Sequence, residues 1–298
     1  ERRLTEPVAA TIRKILVATD LTPRCDRALD RAVQLARESQ AELVAVHVMD
    51  AADQSGSMFD RRERSWRRVP DPAERMRWRL QRDLAEAFEG IRVIAAQGDP
   101  AEQLVAHARS EACDLILTGA ASAESMGRIL FGSTVNRVAR EVEQPILVVH
   151  DRAFRPYREI VVATDFSDAS IAGLQTAWDL FPQAAFTLFH AYDVPSAALA
   201  DARQDGRALL TMQEDMMAKV RADDRLDARL RGKVSVVADY GAPEALLPDY
   251  VEDQRVDLTV VGSHGHGALF DALMGSTAKR LVEALEGDLL IVRHSADA

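Results

Sequence analysis

Short, nearly continuous aliphatic runs alternate along the chain with longer stretches in which apolar positions recur every three or four residues. Ile12–Thr19 is such a run and predicts a strand buried on both faces. Arg24–Glu38 follows, with Leu29, Ala32, Val33, Leu35 and Ala36 on one helical face. The same alternation predicts strands at Leu43–Val48, Ile91–Ala95, Leu115–Thr118 and Ile146–Val149, and helices at Pro72–Phe88, Ala101–Ser110 and Ser133–Val142. Pro72 suits the first turn of its helix. Residues 50–70 carry no clear period. In the second half the predicted strands are Ile160–Thr164, Phe186–His190, Val234–Ala238, Leu258–Val261 and Leu289–Val292. Ala197–Leu230 reads as its second helical region, broken near Gly206. Strands separated by helices imply a parallel sheet with right-handed crossovers and helices on both faces. Such sheets bind ligands beyond the carboxyl ends of their strands, where the strand order reverses.

The two halves are copies of one unit. Ile15–Asp20 (ILVATD) returns as Ile160–Asp165 (IVVATD), 145 positions later. Asp114–Gly119 returns as Asp257–Gly262, and Gly132-Ser133-Thr134 as Gly275-Ser276-Thr277, both 143 positions later. His47 and His190, and Gly98 and Gly241, share that offset of 143. A period this long means two complete domains rather than a solenoid. We read residues 1–151 and 152–298 as the two domains, with Arg152–Tyr157 as the link.

Composition narrows the classes. Of 298 residues, 47% are hydrophobic and 28% charged, which is the balance of a globular protein. No run approaches the roughly 20 apolar residues of a membrane span, and no leader segment is evident, so membrane partners are not expected. The net charge of −10 argues against a general nucleic-acid binder. It divides unevenly, −1 over residues 1–150 and −9 over the remainder. The first half is relieved by Arg61, Arg62, Arg64, Arg67 and Arg68, a cluster around Trp66 that reads either as a solvated face pairing with Asp60, Glu63 and Asp71 or as a site for an acidic partner or nucleic acid. Two cysteines, Cys25 and Cys113, form no disulfide framework and read as structural thiols in a reducing, cytoplasmic setting.

Candidate chemistry concentrates after the fourth strand of the second half. Gly262-Ser263-His264-Gly265 is followed after nine residues by Gly275-Ser276-Thr277. Gly262 is expected to turn the chain off its strand, and Gly265 to admit a positive φ or a close backbone approach. Gly275, Ser276 and Thr277 open the next helix, whose free N–H groups and dipole favour an anion. Such a loop cradles phosphates without a lysine. This spacing resembles the ATP-binding signature of the universal stress protein family, as do the Val-Ala-Thr-Asp strand ends and the two histidines. The resemblance covers essentially the whole chain as a tandem pair. It implies two Rossmann-like, doubly wound α/β domains, each a five-stranded parallel sheet in the order 3-2-1-4-5. It also implies an adenine nucleotide, ATP or AMP, between strands one and four. On that resemblance Ala163, Thr164 and Asp165 lie by the nucleoside and Ala191 by the adenine edge. Gly262, His264 and Gly265 line the ribose and phosphates, and Gly275, Ser276 and Thr277 hold the phosphates.

The first half departs from this pattern. Gly119-Ala120-Ala121-Ser122 places Ser122 where the second glycine belongs, although Gly132, Ser133, Thr134 and Asp20 are kept. A non-glycine residue in the left-handed region costs roughly 1–2 kcal/mol, and its Cβ impedes phosphate. The expectation is therefore nucleotide in the second domain, with weak or no binding in the first. Asp165 reads either as a ligand acceptor or as a helix N-cap. His47 and His190 read as bonded to a neighbouring loop or as ligand contacts. His264 and His266 read as solvated loop residues or phosphate partners, with no ligand set complete enough to assign a metal. There is no Walker lysine, nucleophile elbow or zinc helix, so no catalytic residue is assigned. A slow ATPase or phosphoryl-transfer enzyme, using Mg²⁺ carried in by the nucleotide, is the alternative. An interaction protein with a vestigial loop is the third reading. An internal pseudo-dimer through the fifth strands is expected, and a homodimer is left open.

Overall fold

The computed structural model describes residues 12–23, 25–49, 71–84, 89–120, 133–192, 206–264, 280–281 and 283–294. The described chain divides into two compact units between Phe154 and Arg155.

The first unit runs β1 (Lys14–Ala18), α1 (Asp26–Ser39), β2 (Glu42–Met49), α2 (Pro72–Leu84), β3 (Ile91–Gln97), α3 (Pro100–Ser110), β4 (Leu115–Gly119), α4 (Ser133–Glu141) and β5 (Ile146–Val149). Its strands pair in parallel in the order β3-β2-β1-β4-β5. Ile15, Leu16 and Val17 are all fully buried. Successive strand residues point to opposite faces, so β1 is covered on both, as its unbroken apolar run predicts.

The second unit runs β6 (Glu159–Ala163), α5 (Asp168–Leu180), β7 (Ala185–Tyr192), α6 (Gly206–Ala222), α7 (Ala228–Arg231), β8 (Val234–Tyr240), α8 (Pro243–Gln254), β9 (Leu258–His264) and β10 (Asp288–His294). Its parallel order is β8-β7-β6-β9-β10, the same winding. Each unit therefore reverses its strand order between its first and fourth strands. Among the described residues the second helical region begins at Gly206 and breaks after Ala222. Met216 of α6 is buried in the core, while Met212 accepts a contact of 3.5 Å from the Tyr240 hydroxyl.

One carboxylate per unit fixes the central strand pair. Asp114 Oδ2 accepts the backbone N–H groups of Arg13 (2.8 Å) and Lys14 (2.9 Å). Asp257 Oδ2 does the same for Arg158 (2.8 Å) and Glu159 (3.0 Å), and its Oδ1 accepts from Arg155 Nη2 at 2.7 Å. The entering strand thus finds acceptors for N–H groups that precede its ladder. Of the expected link, Arg155 and Tyr157 belong to the second unit. The Tyr157 hydroxyl donates to buried Asp288 Oδ2 at 2.5 Å, and its ring meets Phe181 edge-on.

Candidate functional site

The carboxyl ends of β1 and β6 carry the same turn, built from the repeated Thr-Asp pair. In the second unit Thr164 Oγ1 accepts from Phe166 N (2.9 Å) and Asp165 Oδ1 accepts from Ser167 N (2.9 Å). These bonds hold Phe166 at φ 61, in the left-handed region. That conformation costs a non-glycine residue about 1–2 kcal/mol. In the first unit Thr19 Oγ1 accepts from Leu21 N (3.0 Å), and Asp20 Oδ1 accepts from both Thr22 N (2.8 Å) and Thr22 Oγ1 (2.7 Å). Leu21 has φ 60. Asp165 is therefore a turn residue, and the N-cap of α5 is Ser167, whose side chain accepts from Ser170 N.

The paired histidines lock this turn to the second strand. His190 Nδ1 donates to Thr164 O at 2.6 Å, and His47 Nδ1 to Thr19 O at 2.9 Å. A carbonyl accepts only, so both rings carry their proton on Nδ1. Burial acts to raise the Asp165 pKa, but hydrogen bonds from Ser167 and Ser170 outweigh it and the net shift is downward. Asp20 behaves likewise, with Thr22 as its chief donor. Each turn thus presents a carboxylate held in its charged form.

Cys25, at the N-cap of α1, lies beside Asp20. Burial, reinforced by that carboxylate, pushes its pKa up to about 12, and burial pushes Cys113 up to about 11. At pH 8 such thiols are ionised in about one molecule in 10,000 and one in 1,000, against about one in four for an ordinary cysteine. Alkylation of the native chain by iodoacetamide should therefore be at least about 100-fold slower than after unfolding, as followed by intact-mass spectrometry.

Gly262 corrects an expectation. It does not turn the chain: β9 continues through it to His264, whose backbone pairs with His294. The glycine is required by packing. A Cβ at 262 would lie 2.2 Å from Ala169 O, so α5 rests directly on the strand there. His264 likewise ends the strand rather than sitting in the loop. Gly98 and Gly241 do carry positive φ, at 125 and 146. Each lets the chain leave its third strand for a Pro-initiated helix.

The helix after the glycine loop is tied to that Pro-initiated helix in both units. Arg137 of α4 bonds Asp99 at 2.7 Å, where Asp99 caps α3. Arg280, 143 positions on, bonds Glu244 in the first turn of α8 at 3.2 Å. The repeat offset was the signal for this arginine pair and for the Asp114/Asp257 clamp. Neither was singled out, because a charged residue on a helix or at a strand start reads as solvated. In the first unit the elements enclose a cavity of about 260 Å³ at the carboxyl ends of β1, β2 and β4, lined by Asp20, Gly119 and Thr134 among others.

The universal stress protein family model matches twice, over residues 11–150 and 156–293.

The chain belongs to the universal stress protein family.

A universal stress protein of Mycolicibacterium smegmatis is 23% identical over 309 residues, covering 96% of this chain and 98% of that protein. The universal stress protein YxiE of Bacillus subtilis is 28% identical over 145 residues, covering 46% of this chain and 97% of its own length. A solved universal stress protein from Archaeoglobus fulgidus superposes with TM-score 0.64 at 18% identity, covering 96% of this chain and all (100%) of that one. That likeness is one of fold. Both universal-stress-protein units thus share the winding and the strand-one turn.

The described structure brings Ala163, Thr164, Asp165, Ala191 and Gly262 to the carboxyl edge of β6, β7 and β9. Asp20 and Gly119 take the corresponding places in the first unit, where Ser133 opens α4 and Thr134 lines the same cavity. Gly265, His266, Gly275, Ser276, Thr277, Ser122, Gly132 and the Arg61–Arg68 cluster lie outside the described residues, as does the side chain of His264. Among the described residues no group of His, Cys, Asp and Glu is arranged to hold a metal ion, and no helix is long and apolar enough to cross a membrane.

Proposed function

We propose that the second unit binds an adenine nucleotide, ATP or AMP, and that occupancy alters a surface read by a protein partner in a stress response. The observation that carries this reading is the complete Gly262-x-x-Gly265-x9-Gly275-Ser276-Thr277 spacing. It begins on β9, beside the strand whose end presents Asp165. This is the crevice where the strand order reverses, the usual ligand position of such sheets. Asp165, with its turn already satisfied through Oδ1, is an acceptor for a ribose hydroxyl or an adenine amino group. The backbone about Ala191 meets the base edge. Gly265, Gly275, Ser276 and Thr277 offer N–H and hydroxyl donors to phosphate oxygens, and His264 lies by them. In a half of net charge −9, these donors and the helix terminus, not bulk positive charge, supply the phosphate affinity.

Mg²⁺ would arrive with the nucleotide's own phosphates. The first unit, with Ser122 in place of the second glycine, binds nucleotide weakly or not at all. The chain acts in the cytoplasm. Mass spectrometry of the denatured purified chain should release one equivalent of adenine nucleotide, and phosphate release from added ATP should stay at the buffer rate. Recovery of no nucleotide, together with no uptake of added ATP, would favour the interaction-protein reading. Phosphate release that disappears in Ser276→Ala would favour the slow ATPase.

A further inference from the structure

Helix α2 presents a face that neither the core nor the nucleotide crevice uses. Met76 and Leu80 are 1% exposed and fix the helix to its unit. Arg75, Trp78, Arg79 and Arg82, at i, i+3, i+4 and i+7, share the opposite side, and all four are exposed. Trp78 is 59% exposed, with the Arg82 guanidinium 5.1 Å from its ring centre. Arg82 also pairs with its neighbour Asp83 at 3.0 Å. Among the described residues no carboxylate pairs with Arg75 or Arg79. A tryptophan ringed by arginines has the composition of a protein-interface hot spot.

The charge of the face decides between partners. Over residues 71–84 four arginines stand against Asp71, Glu74 and Asp83, in a chain of net charge −10. A nucleic acid draws its affinity from many neutralised phosphates, and here the wider field repels it. A membrane surface needs an apolar helix side, and that of α2 is already buried in the core. A short acidic protein face remains, matched by guanidinium–carboxylate pairs.

The chain carries such a face itself. On α8, Asp249, Glu252 and Asp253 are exposed at i, i+3 and i+4, opposite buried Leu247. Ala245, one turn earlier on the same side and also exposed, leaves a small apolar place for a ring. This acidic face belongs to the second unit alone: 143 positions earlier, α3 has Ala106, Arg109 and Ser110. Part of the uneven charge of the two halves is therefore gathered into two complementary helix faces, one in each unit. We infer that α2 of one copy docks on α8 of a second copy, with Arg75, Arg79 and Arg82 against Asp249, Glu252 and Asp253, and with Trp78 among them. One helix from each copy makes a small contact, so the association is weak, and exposed charge pairs make it salt-dependent. It is independent of nucleotide binding by the second unit.

Sedimentation velocity of the full chain without added nucleotide tests this. At about 20 mM NaCl the weight-average sedimentation coefficient should rise with concentration, and about 0.5 M NaCl should weaken the association at least about tenfold. Arg75→Glu/Arg79→Glu/Arg82→Glu and Asp249→Lys/Glu252→Lys/Asp253→Lys should each lose the salt-sensitive association. All six positions are exposed, so the core is untouched. Mixed in equal amounts, the two variants should associate again, because each then meets a face of opposite charge on the other. Trp78→Ala, which alters no charge, should weaken self-association at least about fivefold. A chain that does not associate at low salt, salt-sensitive association that survives in either reversed variant, or a mixture as dissociated as its components would each overturn the proposal. Binding of a labelled single-stranded oligonucleotide that is lost in the arginine variant, with no self-association, would assign the face to nucleic acid instead.

Discussion

Replacing Gly262 with alanine is expected to lower the stability of the second unit by about 2–3 kcal/mol, the upper range for overpacking. The added Cβ would sit 2.2 Å from Ala169 O, 2.6 Å from Ala169 C and 3.0 Å from Ser170 N. All three are backbone atoms of the first turn of α5, so no rotamer change relieves the clash and the helix must lift. Ser170 Oγ is bonded to Thr164 Oγ1 at 2.9 Å. A shift of the helix therefore drags the strand-one turn and Asp165 with it, and nucleotide affinity should fall alongside stability. Gly173→Ala is the control. There the nearest atoms of Gly262 are 3.6 Å away, an ordinary contact. Alanine's better helix propensity, about 1 kcal/mol over glycine, should leave that variant as stable as the parent or more so. Urea unfolding read through buried Trp178, which lies in α5, separates the two. Equal stabilities for the two variants would contradict direct helix-on-strand packing.

The second large effect is expected at Asp257. Its Oδ2 accepts two backbone N–H groups at the start of β6, and its Oδ1 pairs with Arg155. Hydrogen bonds to a charged acceptor contribute about 1.5–3 kcal/mol each, less where water reaches the donors. Asp257→Ala should therefore cost about 2–3 kcal/mol in the second unit. Asp114→Ala should cost slightly less in the first, where the described bonds are the two backbone ones. Arg155 is 42% exposed, so Arg155→Ala should cost under about 1 kcal/mol. Chemical denaturation of the three variants gives the ranking, and hydrogen exchange at β6 or β1 assigns each loss to its unit. An Arg155→Ala effect as large as that of Asp257→Ala would mean that the ion pair, not the strand clamp, is what matters.

These positions also mark what could be read from the chain alone. Aliphatic runs such as Ile15–Val17 need cover on both faces, and that requirement led directly to parallel sheets and to a site at the carboxyl ends of the central strands. The 143-residue offset doubled the reading. Gly262 misled because glycine after an apolar run signals a turn as readily as a close approach, and only the position of α5 separates the two. Asp165 was ambiguous for a similar reason. An aspartate between a strand and a helix caps the helix if the helix starts at the next residue and closes an Asx turn if it starts later; α5 starts at Asp168, and Ser167 took the cap. The cavity beside Asp20 lies where the strand-reversal rule points, at the carboxyl ends of β1, β2 and β4, but its shape is not legible in the chain. It depends on Val46 and Val138 facing the same space from β2 and α4, and strand and helix periods do not show that juxtaposition.

The central claim is that nucleotide binds in the second unit through its glycine loop. Isothermal titration of the full chain with ATP tests it most directly, using the parent, Gly265→Val and Ser122→Gly. The parent should bind one equivalent, Gly265→Val should lose that site while unfolding like the parent, and Ser122→Gly should gain affinity in the first unit toward a second equivalent. One equivalent that persists unchanged in Gly265→Val would place the nucleotide elsewhere and contradict the account.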